Sequence, residues 1–87
     1  VKKRQDCLKI VVMMDKIMKK LFKTVGTRIA KKRQGLHLSQ ERLAEKSGLH
    51  RNYIGSVERA EKYVTLTTLF KITKALDLKL EELFKGF

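Results

Sequence analysis

Arg51 and Asn52, with Tyr53 beside them and Ser56 one helical turn on, are the residues of this chain best suited to reading another polymer. A guanidinium can bond O6 and N7 of guanine through two N–H groups, and a carboxamide can pair with N6 and N7 of adenine in the same way. Tyr53 has two readings: a contact to a thymine methyl or a phosphate, or a half-buried packing aromatic. Such chemistry needs a rigid element that enters the major groove, and the flanking residues describe one. In residues 39–59, SQERLAEKSGLHRNYIGSVER, Gln40 opens a first short helix and Ala44 is small where that helix must pass close to its partner. Gly48 supplies the turn, because a residue without Cβ takes positive φ at no steric cost. Ile54 and Val57 recur at i, i+3 as the buried side of a second helix. The spacing Gln40, Ala44, Gly48, Ile54, Val57 is that of a helix-turn-helix, whose second helix offers its N-terminal end to base edges. Arg51 and Asn52 are therefore the expected base readers, with Tyr53 and Ser56 as further base-contacting positions.

Other chemistries find no support in the residue types. The two histidines, His37 and His50, and the single Cys7 lack metal-ligand spacing. No Ser–His–acid order, glycine-rich phosphate loop or pair of clefted carboxylates is present. No catalytic residue, metal, cofactor or small-molecule ligand is expected. A lone Cys7 cannot form an intrachain disulfide, which fits a reducing cytoplasm and a free thiol of no special role.

A chain of 87 residues holds one small domain, near the lower limit for folding without disulfides or metal. There is no Pro and no Trp, alternating β-branched residues are scarce, and helical periodicity runs nearly end to end. The expected fold class is all-α. The net charge is +12 with a pI near 10.2, a balance that attracts polyanions by releasing their condensed counterions. That charge is unevenly placed. Residues 1–34 carry 12 basic against 2 acidic side chains, and residues 35–87 carry 9 against 7, so the reading motif is not the main carrier.

Along the chain, residues 1–20 read as a basic amphipathic extension and residues 21–87 as the domain. Ile10, Met14, Ile17, Met18 and Leu21 share a helical face, with Lys9, Lys16, Lys19, Lys20 and Lys23 around the rest. Such a helix either packs on the domain or rests on a membrane surface. Its longest apolar run is five residues, far short of the ~20 that span a bilayer, and it lacks the pattern of a signal peptide. Phe22, Val25 and Ile29 then face a core, and Gly35 is the expected helix stop, with Leu36 and Leu38 as core plugs. Gly26 is expected to cost about 1 kcal/mol of helix propensity against Ala. Ser39 and Thr65 are the expected N-caps of the first motif helix and of the helix from Leu66 to Leu76. A last short helix carries Leu80, Leu83 and Phe84.

From Val25 to Phe84 the chain resembles the lambda-repressor-like (Cro/repressor, XRE) family of DNA-binding domains. The residues that carry the resemblance are GTRIAKKRQ, LSQERLAEKSGLHRNYIGSVER and TLTTLFKITKALDLKLEELF, about two thirds of the chain. Within that family the run from Leu49 to Leu78 looks most like the controller proteins of restriction–modification systems. The resemblance implies a compact five-helix domain that acts as a transcription regulator in the cytoplasm, binding double-stranded operator DNA without a membrane or small-molecule partner. It leaves open a phage- or plasmid-type repressor and an antitoxin-like interaction module on the same fold. Carried over residue by residue, it places Gln40, Arg33, Lys62 and Thr65 against the DNA backbone, with Tyr63 near them. It also pairs Arg33 with Glu58 as a partly buried strut. Two positions depart from the pattern. His37 replaces a small or acidic residue, and Ala60 stands where the family has Gly, so the recognition helix is expected to run on past it. Leu80, Leu83, Phe84 and Phe87 carry more apolar surface than a small monomer readily buries, and are the expected homodimer interface for a pseudo-palindromic site.

Overall fold

The computed structural model describes residues 4–86, with side chains from Lys9 onward. Its five helices are α1 (Arg4–Gly35), α2 (Gln40–Ser47), α3 (Arg51–Glu58), α4 (Leu66–Ala75) and α5 (Leu80–Leu83), and all regular structure among the described residues is helical. Cys7 and Phe87 lie outside the described side chains.

Helix α1 runs 32 residues without a break, so the expected boundary between residues 20 and 21 falls inside one helix. What changes there is burial. Every residue from Lys9 to Lys20 is exposed, whereas Val25 and Ile29 are buried against the other helices. Residues 9–20 therefore do not fold back onto the domain. Gly26 is more than a weak helix former. A Cβ placed on it would lie 2.5 Å from the carbonyl oxygen of Val57 and 2.7 Å from that of Glu58. Helix α1 thus crosses the end of α3 backbone against backbone, and only glycine permits that approach.

The core joins all five helices. Val25 and Ile29 of α1 meet Leu43 and Ala44 of α2, Ile54 and Val57 of α3, Leu69 and Ile72 of α4, Leu76 just beyond it, and Leu83 of α5. The two buried hydroxyls are satisfied by the helices they sit on: Ser47 donates to the carbonyl of Leu43 at 2.8 Å, and Thr73 to that of Phe70 at 3.0 Å. Leu36, expected as a core plug, is instead 43% exposed, while Leu38 does pack on the core.

The helix ends show local chemistry at work. The Ser39 hydroxyl accepts the Arg42 N–H at 3.0 Å, and that of Thr65 accepts the Thr68 N–H at 3.2 Å. Helices α1 to α4 all stop in one way, with a left-handed residue followed by an N–H that reaches back five residues. The four bonds are Leu38 to Arg33, Leu49 to Ala44, Glu61 to Ser56 and Leu78 to Thr73, between 2.8 and 3.0 Å. Only one of the left-handed residues, Gly48, is glycine; the others are His37, Ala60 and Asp77. This corrects two expectations. Gly35 is the last helical residue rather than the stop, and Ala60 does take φ of 58°, so α3 ends at Glu58 instead of continuing. At Ala60 the hydrogen bonds and the packing of Val57 and Val64 on either side outweigh the ~1–2 kcal/mol that a left-handed L-residue costs.

Candidate nucleic-acid interface

The turn from α2 to α3 fixes where the candidate reading residues stand. Gly48 takes φ of 73°, and its N–H and that of Leu49 close the end of α2. His50 then caps α3, its Nδ1 accepting the Asn52 N–H at 3.1 Å. Because Ile54 and Val57 are buried, the opposite side of α3 faces solvent, and Arg51 and Asn52 are exposed on its first turn. Ser56 follows on the same side, half-buried, its hydroxyl donating to the Asn52 carbonyl at 3.0 Å. A hydroxyl so engaged keeps its lone pairs and can still accept a bond.

These residues share one concave surface of about 660 Å3 with Arg33, Gln40 and Arg59. The N-terminal end of α2 borders it through Ser39, Gln40 and Glu41. Ser39 satisfies one free N–H there, and the remaining first-turn N–H groups with the helix dipole favour an anion at that end. Glu41 lies 4.0 Å from Arg51, a loose exposed contact that leaves the guanidinium available.

Behind this surface lies a buried polar knot. Arg33 grips Glu58 with two bonds, Nε to Oε2 at 2.7 Å and Nη2 to Oε1 at 3.1 Å, while its Nη1 donates to the Leu38 carbonyl at 2.8 Å. The side chains are only 12% and 6% exposed. Gln40 joins the knot, its Nε2 donating to Glu58 Oε1 at 3.0 Å. The strut expected between Arg33 and Glu58 is therefore present, and it holds Gln40 as well. Three of the five Arg33 N–H groups are consumed, which leaves it less free for a backbone phosphate than the sequence pattern implies.

The remaining positions divide. Tyr53 packs partly on the core, with the Lys62 ammonium 5.7 Å from its ring centroid, so Tyr53 and Lys62 stand together at one edge of the reading helix. The Thr65 hydroxyl is occupied as the cap of α4. Tyr63 turns away from the motif and stacks on Phe22 of α1, centroids 4.9 Å apart. Of the expected interface residues, Leu83 is fully buried within the monomer and can meet no partner, whereas Leu80 and Phe84 remain half-exposed. The largest apolar exposure near them is on α4, at Leu66 (66%) and Phe70 (52%). The sequence gives a signal for this pair: they stand one turn apart on the flank of the face formed by Leu69, Ile72 and Leu76.

Arg59 is a residue of this surface that the sequence alone did not single out. It follows α3, lines the concave surface beside Gln40 and Gly55, and forms a double bond-pair with Glu61, Nε to Oε2 at 3.0 Å and Nη2 to Oε1 at 3.1 Å. That hydrogen bonding holds the Glu61 carboxyl below its ordinary range. Arg59 Nη1 lies 3.0 Å from where a Cβ on Gly55 would stand, so the bare backbone at Gly55 gives the guanidinium its place. The arginine was legible as a residue, but the place of its partner Glu61 depends on the left-handed turn at Ala60.

A rigid two-helix unit that offers arginine and carboxamide groups from one convex helix, beside an anion-favouring helix end, defines a class: the helix-turn-helix proteins, a family of DNA-binding regulators and not of enzymes. The helix-turn-helix family model matches residues 29–83, and the chain belongs to that family. It is 62% identical over 47 residues to the control protein C.SmaI of Serratia marcescens, across 54% of this chain and 56% of that one. The chain thus spans little more than half the length of that relative. Among solved structures, the restriction–modification controller protein C.AhdI of Aeromonas hydrophila is similar with a TM-score of 0.70 and 43% identity, over 72% of this chain and 96% of that one. A point mutant of C.Esp1396I bound to its highest affinity operator site is similar with a TM-score of 0.68 and 34% identity, over 75% and 86%.

Proposed function

We propose that this chain is a sequence-specific transcription regulator of the kind that controls restriction–modification genes. It reads a pseudo-palindromic operator as a homodimer. The observation that carries this reading is the set of exposed Arg51 and Asn52 on the first turn of α3, with the α2 N-terminus and Gln40 beside them on one surface. Arg51 and Asn52 read bases, and Ser56 and Tyr53 add contacts at the groove edge. Gln40, Arg59 and Lys62 neutralise or bond the phosphates that set the protein's register on the duplex, with lesser contributions from Arg33 and Thr65. The net charge of +12 adds attraction without sequence preference. In the dimer, Leu66 and Phe70 join Leu80 and Phe84 as the apolar surface that a second copy covers. A twofold pair of recognition helices about 34 Å apart reads half-sites roughly 10 bp apart. This reading is supported by the likeness to C.AhdI and to the operator-bound C.Esp1396I.

Selection from a random duplex library, followed by footprinting of the enriched sequence, tests the proposal. Two inverted half-sites about one helical turn apart are the expected product. Recovery of sequences with no shared motif, bound with the affinity of bulk DNA, would reject it.

A further inference from the structure

The overhanging half of α1 is the feature that the reading of DNA leaves unexplained. Ile10, Val11, Met14, Ile17 and Met18 are between 36% and 59% exposed, an apolar band with no partner among the described residues. Val11, Met14, Met18, Leu21 and Val25 repeat at alternating intervals of three and four, the spacing of a seam between two paired helices. At Leu21 and Val25 this seam is covered by the domain itself. N-terminal to Leu21 it runs free, ending against an apolar notch of about 210 Å3 lined by Met18, Leu21, Phe22, Val64, Leu66 and Phe84.

Two features select the occupant. The exposed Lys9, Lys16, Lys19, Lys20 and Lys23 all lie on the side of α1 opposite the seam, more than 100° of helical rotation away at about 100° per residue. They neither repel a second basic helix laid on the seam nor reward an acidic one. The seam also faces the same side of α1 as the domain, which packs on its continuation through Val25 and Ile29. A flat bilayer brought against the free band meets the domain first, whereas a rod can lie in the angle between them. The free seam residues Val11, Met14 and Met18, with Ile10 and Ile17 flanking them, offer from two copies at most on the order of 1,000 Å2, close to the lower bound for specific association.

We infer that the overhanging half of α1 is a self-association surface, seating the same segment of a second copy antiparallel upon it. The antiparallel sense places the two basic domains at opposite ends of the pair, where their mutual repulsion is least. Isologous contact of this kind is closed, so it joins two copies and stops. It lies on the far end of the molecule from Arg51 and Asn52, and so links chains, or dimers already seated on DNA, without occupying the reading surface.

The test is sedimentation equilibrium without DNA, so that its outcome is independent of whether the operator reading holds. The full chain is compared with a Met14→Glu, Ile17→Glu variant and with a Lys16→Glu, Lys20→Glu control, all checked for equal helicity by circular dichroism. The full chain and the control should reach an assembly of twice the mass of the seam variant, whose association by this step falls at least tenfold. Equal masses for full chain and seam variant up to hundreds of micromolar would overturn the inference. Vesicles of anionic phospholipid that bind the full chain but not the seam variant would also overturn it, by giving the band to a membrane instead.

Discussion

Gln40 and Arg33 share one acceptor: Glu58 Oε1 takes the Gln40 carboxamide at 3.0 Å and the Arg33 guanidinium at 3.1 Å. The residue proposed to meet the DNA backbone is therefore aimed by the same carboxylate that ties α1 to α3. Breaking a mostly buried ion pair leaves an uncompensated charge, which costs about 3–5 kcal/mol. Domains of this size have about that much stability to lose. Glu58→Ala should lower Tm by more than ten degrees, and Glu81→Ala, an exposed substitution, should leave it within two degrees. Equal melting of the two variants would show the pair to be worth no more than a surface contact.

Removing a bidentate base contact should cost roughly 1–3 kcal/mol at the preferred site. Arg51→Ala and Asn52→Ala should show that loss at the selected operator and almost none on random duplex, because neither residue is needed for the fold. Gln40→Ala should weaken both duplexes alike. Titrations in which Arg51→Ala lowers cognate and random affinity by the same factor would remove it from the base-reading set.

Gly26→Ala separates helix propensity from packing. In an isolated helix the change gains about 1 kcal/mol. Here the new methyl meets two carbonyl oxygens of α3 at 2.5 and 2.7 Å, and backbone cannot swing aside as a side chain can. Over-packing of this sort costs typically 1–3 kcal/mol, so urea unfolding should show net destabilisation. An increased midpoint would mean that α1 and α3 are not held in this contact.

Ala60→Gly should act in the opposite direction. The residue takes φ of 58°, where an L-residue pays about 1–2 kcal/mol and glycine pays nothing. Part of that gain is lost to the greater freedom of glycine in the unfolded chain. A rise in stability of about 0.5–1 kcal/mol, seen as a Tm higher by a few degrees, is expected. No change in Tm would show that the turn relaxes when isolated from its neighbours.

Much of this fold could be read from the sequence because its signals are local. Ser39 and Thr65 are caps whose partners lie three residues away, and Ile54 and Val57 need only the helical period to be placed in the core. The placement of Arg51, Asn52 and Ser56 on the outer side of α3 followed from where that core must lie. What escaped the sequence depends on non-local packing or on strain repaid elsewhere. Ala60, His37 and Asp77 take a backbone conformation that their side chains oppose, and only the tertiary anchors on each side make that worthwhile. Gly26 looked like a defect because its justification lies on another helix. Leu83 looked like surface because the helix that buries it, α1, is more than fifty residues away in sequence; Arg28 of that helix donates to the Leu83 carbonyl at 3.0 Å.

The bare contact of Gly26 with the end of α3 bears on how such a protein can change its target. That contact of main chain with main chain, together with the Arg33–Glu58 pair, sets the pose of α3 without drawing on the residues of its outer face. As the proposed base readers, Arg51, Asn52 and Ser56 could then be exchanged almost as letters in a fixed frame, each swap expected to alter the preferred sequence while the mounting stays put. New specificities are reachable by single steps that cost the scaffold little, which makes this surface a natural place for divergence and a practical one for redesign.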